Sequence, residues 1–122
     1  MGYRSEITAV FYAHGADEWP LIKLFVAENF PKGWMDRLEE VHHRDKSGFV
    51  FQVSDYKWYD SYPEVKAFEE FEEAFVAMDK CKDGTWAFEF ARIGEDYTDI
   101  ENRSSDHAGY VLNVSRRIEI DF

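Results

Sequence analysis

Residues 61–78, SYPEVKAFEEFEEAFVAM, have the pattern of an amphipathic helix and of little else. Val65, Phe68, Phe71, Phe75 and Met78 recur at helical spacing, while Lys66, Glu69, Glu70 and Glu73 fall on the opposite side. Ser61 with Glu64 three residues later reads as a capping box, and Pro63 in the first turn loses no needed hydrogen bond. Lys82-Asp83-Gly84 ends the run. A helix with so aromatic a stripe needs an apolar surface to lie on, so the rest of the chain must supply one.

Alternating segments supply it. Residues 3–13 set Ile7, Ala9 and Phe11 against Arg4, Glu6 and Thr8, the pattern of a half-buried strand. His14-Gly15 turns the chain into a first helix, with Asp17 as its cap, Pro20 near its start and Leu21, Ile22, Leu24, Phe25, Val26 and Phe30 on one side. Pro31 and Gly33 end it. Residues 34–41 fit either a helical turn or a strand lead-in. Beyond them Asp45-Lys46-Ser47-Gly48 is the expected turn between a short strand, 39–44, and a long one, 48–58. After the second helix, residues 85–93 set Trp86, Phe88 and Phe90 against Thr85, Ala87 and Glu89. The polar stretch 94–109 reads as a long loop. Residues 110–121 alternate as a last strand, with Tyr110, Leu112, Val114, Ile118 and Ile120 on one side and Arg116 interrupting the row as a bulge or a buried ion pair.

The order β-α-β-β-α-β plus an extra C-terminal strand predicts an α+β, ferredoxin-like antiparallel sheet with two helices on one face. With 122 residues this is one domain, 1–122, and 45% hydrophobic with 18% aromatic content is enough to build its core.

Charge removes several function classes. With 25 acidic against 14 basic residues the net charge is −11 and the pI about 4.7, so phosphate backbones are repelled and direct nucleic-acid binding is not expected. No apolar run is long enough to span a bilayer. Glu6 stands where a myristoylation site needs Ser or Thr. A lone cysteine, Cys81, and the absence of a signal-peptide pattern lead us to expect a reducing, cytoplasmic setting.

Three stretches carry a resemblance. Met1-Gly2-Tyr3-Arg4-Ser5-Glu6, Lys57-Trp58-Tyr59-Asp60-Ser61-Tyr62-Pro63-Glu64-Val65 and Arg92-Ile93-Gly94-Glu95-Asp96-Tyr97 make the chain similar to small phage- and prophage-encoded accessory proteins. The resemblance implies a compact α+β protein of viral origin acting in the host cell, a host-targeted inhibitor with no catalytic residues to transfer. Residues 31–47, with two of the four histidines, have no counterpart in it.

Catalytic and metal patterns are weak throughout. Glu95, Asp96, Asp99, Glu101 and Asp106 lack the ligand alternation of a calcium loop. His14, His42, His43 and His107 show no zinc spacing. Lys80 and Lys82 flank Cys81 and would lower its pKa, but a helix C-terminus acts the other way. Serines 47, 54, 61, 104, 105 and 115 occur in no nucleophile-elbow motif. We therefore expect no enzyme, no cofactor and no metal site. Arg92 and Arg116 read as buried cations with Asp55 or Asp60 as partners.

Binding features remain. Tyr56, Trp58, Tyr59 and Tyr62 cluster where the long strand meets the second helix, either as exposed contact aromatics or as a satellite core. Glu69, Glu70 and Glu73, with Glu64 and Glu72 on the same helix, and Glu95, Asp96 and Asp99 on the loop, are the candidate acidic contact surface. The expectation is an anti-CRISPR-like binding protein. It would inhibit a host defence or nucleic-acid-handling protein by covering its basic surface, steered by the acids and anchored by Trp58, Tyr59 and Tyr62. A small-molecule or nucleotide-binding module, or a metal-dependent enzyme acting on a signalling nucleotide, is the alternative. A self-associating protein, dimerising through its sheet face or last strand, is the third.

Overall fold

The computed structural model describes residues 3–96, 98–109, 111–114 and 118–122. Strand β1 is Ser5–His14. A 3-10 turn, Ala16–Glu18, leads into helix α1, Trp19–Asn29, and a second, Lys32–Arg37, into strand β2, Leu38–His43. Strand β3, Lys46–Tyr56, helix α2, Pro63–Val76, and the single turn α3, Asp79–Lys82, follow. Strands β4, Trp86–Gly94, β5, Ile100–Ser104, β6, Leu112–Val114, and β7, Ile118–Ile120, complete the order. The protein is α+β. Its five-stranded sheet runs β2-β3-β1-β4-β5 with every neighbouring pair antiparallel, and β6-β7 form a separate hairpin.

The alternation in β1 decides where the core sits. Phe11 pairs across the ladder with Phe49 of β3 and Phe88 of β4, so three aromatic side chains lie abreast on one face. Helix α2 lays Phe71 and Phe75 on that row, with ring centroids 5.1 and 5.9 Å from Phe11, and Phe75 stacks on Trp86 at 5.3 Å. Helix α1 adds Ile22 and Val26 to the same cluster, so both helices cover one face. Each fully buried ring contributes on the order of 2–3 kcal/mol by transfer. Leu21 and Leu24, expected on the buried side of α1, are exposed.

The opposite face is not left to water. Val10, Tyr12, Val50 and Ala87 are buried there beneath Ala108 and Val111, with Leu112, Ile120 and Phe122 packed alongside. Strand β1 is therefore covered on both sides, and Thr8, expected to face solvent, is 1% exposed. The last segment is a hairpin rather than one strand. Arg116, with Tyr110 and Ser115, lies outside the described residues.

Other local expectations change for identifiable reasons. The 94–109 stretch contains β5, an edge strand pairing Phe90 with Arg103 and Arg92 with Glu101. The β2-β3 turn lies at Arg44-Asp45, where Arg44 takes a φ of 58°. Gly48 is inside β3 instead, where it is glycine because β1 passes so close that a Cβ would collide with the Phe11 carbonyl and the Tyr12 backbone. Neither predicted helix cap forms. Helix α2 starts after Tyr62 with no side-chain cap, and Glu64 accepts from Tyr56 Oη at 2.8 Å. Helix α1 is preceded by Glu18, not Asp17, and Glu18 accepts from Trp86 Nε1 at 3.0 Å while pairing with Lys80.

Candidate functional site

The helix-facing row of β4, Trp86-Phe88-Phe90, continues as Arg92, and the neighbouring strand β5 sets Glu101 and Arg103 beside it. Where apolar side chains run out at the sheet edge, charged ones take over the packing. The Arg103 guanidinium lies 3.8 Å from the Phe90 ring centroid, a cation–π contact. It donates to both carboxylate oxygens of Glu72 on α2, at 2.9 Å from Nε and 2.8 Å from Nη2, and also to Glu101. Arg92 bridges the other way. It donates to Asp99 at 2.7 and 3.1 Å, to Glu101 at 3.1 Å and to Ser5 Oγ at 3.1 Å. Asp99 also accepts from Tyr3 Oη at 2.8 Å, and that same oxygen accepts the Asp96 amide at 2.7 Å. The chain Tyr3-Asp99-Arg92-Glu101-Arg103-Glu72 thus ties the start of β1, β4, β5 and α2 together.

These contacts set the electrostatics. Hydrogen bonds from Arg92 and then Tyr3 hold the Asp99 carboxyl below its ordinary range. Glu69 is pushed the other way, first by partial burial and then by Asp60, with Glu72 and Glu101 adding to it and Arg103 opposing. Among the described residues the Glu69 side chain makes no hydrogen bond or ion pair. Glu69, Glu72, Glu73 and Arg103 line a notch of about 270 Å³. A larger open cleft of about 520 Å³ continues from it past Val76, Ala77, Phe88 and Lys82.

The structure sorts the predicted site residues. Glu70 and Glu73 are exposed and Glu69 is half-buried, so the helix acids share one outward side. Glu95 and Asp96 are exposed at the end of β4, where Glu95 accepts the Arg4 amide at 2.8 Å and Asp96 caps the turn to Thr98. Asp99 is committed to Arg92 and Tyr3. Helix and loop acids are therefore two groups, joined through Arg92, Glu101 and Arg103.

The aromatic expectation is corrected. Trp58 is 8% exposed and packs on Trp34, Phe68 and Phe90 at 5.6–6.2 Å, so the satellite-core reading holds for it and it presents no contact surface. Tyr59 and Tyr62 are half-buried against each other at 5.1 Å, and Tyr59 Oη accepts the Tyr3 amide. The reason is the chain path: past β3 the Trp58 and Tyr59 amides turn back onto the Tyr56 and Lys57 carbonyls, and Trp58 packs inward against Phe68 of α2. Arg92 likewise finds Asp99 and Glu101 rather than Asp55 or Asp60. Asp55 lies beside Arg4 at 3.8 Å.

The remaining nucleophile and metal candidates have structural explanations. Cys81 is 1% exposed, and burial, with Asp83 adding, pushes its thiol up to about 12, so the flanking lysines do not activate it. Ser105 Oγ accepts the Phe88 amide at 2.9 Å. Among the described residues no three His, Cys, Asp or Glu side chains gather as metal ligands, and no helix is long and apolar enough to cross a membrane.

Two residues escaped the sequence reading. Arg103 sits in a stretch without apolar periodicity, and only its place opposite Phe90 gives it meaning. Glu89, assigned to the outer face of β4, is 3% exposed beneath the C-terminal hairpin, where it accepts from Tyr12 Oη at 2.8 Å, Val111 N at 3.0 Å and Leu112 N at 3.1 Å. No family model, no curated protein and no solved structure matches the chain.

Proposed function

We propose that the protein is a non-catalytic acidic binding protein, whose α2 side, with Glu69, Glu70 and Glu73, docks onto a basic surface of a partner protein. The observation that carries this reading is the crowding at Glu69. Its carboxyl is partly buried and has Asp60, Glu72 and Glu101 as like-charged neighbours, while the one cation acting on it, Arg103, is already engaged by Glu72 and Glu101. A surface holding more negative charge than its own cations balance gains most when an external cation approaches. The Arg103 ladder fixes α2 against β5, so the outward glutamates are held in a set arrangement and little ordering is required on binding.

The resemblance of the three motifs to phage accessory proteins makes a host defence or nucleic-acid-handling protein the partner of choice, with an anti-CRISPR-like role in the host cytoplasm as the specific form. The same reading takes β1 to β4 as a ferredoxin-like core. In support, the order β2-β3-β1-β4 carries α1 between β1 and β2 and α2 between β3 and β4, with β5 extending the edge.

The test is capture of bacterial host proteins by the tagged wild-type chain and by the E69K/E70K/E73K variant, read by mass spectrometry. A partner held by the wild type and released by the variant supports the reading. Equal capture by both removes the acidic helix from it.

A further inference from the structure

Strand β2 ends the sheet, and among the described residues the backbone hydrogen bonds given for its outer side stop at its first residue, where the Leu38 amide donates to the Met35 carbonyl. Such an edge is a template for another strand unless it is covered or blunted. Its sequence, Leu38-Glu39-Glu40-Val41-His42-His43, is acidic in its first half and imidazole-bearing in its second. Facing residues are set by the pairing with β3: Leu38, Glu40 and His42 lie on the helix-covered face, and Glu39, Val41 and His43 on the other. Glu39, Glu40, His42 and His43 are all exposed.

We propose that the β2 edge pairs antiparallel with the β2 edge of a second copy of this chain, about a two-fold axis at Val41. Directly opposed residues in a continuous sheet must share a face, and a two-fold axis at Val41 meets that condition. It sets Val41 against Val41, Glu39 against His43 on one face and Glu40 against His42 on the other. Every glutamate of the strand then faces a histidine, and none faces a glutamate. Opposite charges directly across a strand pair stabilise it, and like charges oppose it.

Histidine gains charge between about pH 5 and 8, so the pairing strengthens as pH falls through that range. His42 Nε2 stands 3.7 Å from Glu40 and Nδ1 3.0 Å from Ser47 Oγ, with the Trp19 ring edge-on at 4.6 Å and Lys23 over that ring. His43 lies opposite Lys46, which pairs with Asp45, itself 3.8 Å from His14. Two copies of net charge −11 repel at long range, so salt strengthens this contact. That is the reverse of its effect on the docking of α2, and the inference does not depend on that reading.

The test is sedimentation equilibrium of the full chain at high protein concentration, at about pH 5.5 and about pH 7.5, either side of the histidine range. The expected result is a mass moving from 14.4 kDa at the higher pH toward twice that value at the lower. E39K removes negative charge yet opposes the histidine of the second copy, so it returns the low-pH mass to that of the monomer. General charge-loss association would instead increase in E39K. H43K keeps a cation at both pH values and carries the dimer to the higher one. A monomer at both pH values, or an acid-induced dimer unchanged by E39K, overturns the proposal.

Discussion

Arg103 lies over the ring of Phe90, 3.8 Å from its centroid, and so closes the edge of an otherwise aromatic core with a cation. Its stem covers apolar surface while its guanidinium joins Glu72 of α2 to Glu101 of β5.

Replacing Arg103 therefore removes packing and charge together. R103A leaves the Glu72 and Glu101 carboxylates facing each other over an uncovered ring, and a loss of about 2–3 kcal/mol is expected, between the values for exposed and buried pairs. R103K keeps the charge without the planar fork and should lose about half as much. Urea unfolding followed by circular dichroism measures both. Equal stability of R103A and wild type would show that the stack and fork hold nothing together.

Two carboxylates predict opposite pH dependences. Asp99 titrates below its ordinary value of 3.8, so its stabilisation is complete above that value and is lost as pH falls through the folded-state value. The stability difference between wild type and D99N should accordingly shrink in acid. Glu69 titrates above its ordinary value of 4.5, because burial and then Asp60 disfavour its charge. Its ionised form costs stability at neutral pH, a cost relieved as pH falls through the raised value. E69Q should be the more stable protein at neutral pH, with the advantage vanishing in acid. Urea midpoints across the acid range check both signs.

Tyr12 and Glu89 hold the C-terminal hairpin to the sheet. Tyr12 Oη donates to Glu89 at 2.8 Å and accepts the Gly109 amide at 2.8 Å. Y12F keeps the ring and deletes both bonds, with an expected loss of about 1–2 kcal/mol. Hydrogen exchange should show the loosening at the Gly109, Val111 and Leu112 amides before the five-stranded sheet. Uniform exchange across the protein would contradict that.

Cys81 supplies a test of burial. With its thiol pushed up to about 12, it should resist alkylation at mildly alkaline pH in the folded protein and react fully in denaturant. Fast labelling of the native protein would mean that the α3 turn opens readily.

Legibility in the sequence followed burial. β1, β3, β4 and α2 were readable because Phe11, Phe51, Phe88 and Phe71 recur at the period of their elements and all end in one core. β5 was not, since an edge strand that closes its side of the sheet with Glu101 and Arg103 carries no apolar period. Ser61 and Asp17 fit a capping pattern, but tertiary partners claimed the carboxylates nearby: Tyr56 took Glu64, and Trp86 took Glu18. Alternation gives the face of a strand and not what lies over it, so it leaves Trp58 open between contact surface and satellite core and sets Glu89 opposite the aromatic row without the hairpin that buries it. The helix acids were readable as one outward side, whereas Asp99 was committed to Arg92 by a cross-strand register that no local pattern encodes.

Docking of the acidic α2 surface on a basic protein is read from the salt dependence of the captured complex. The dissociation constant should be measured for wild type and E69K/E70K/E73K between about 0.05 and 0.5 M salt, where the screening length falls several-fold. Wild-type binding should weaken steeply with salt, and the variant should not bind at the lowest concentration. Wild-type affinity that stays constant across the range, or a variant that binds as tightly, would contradict it.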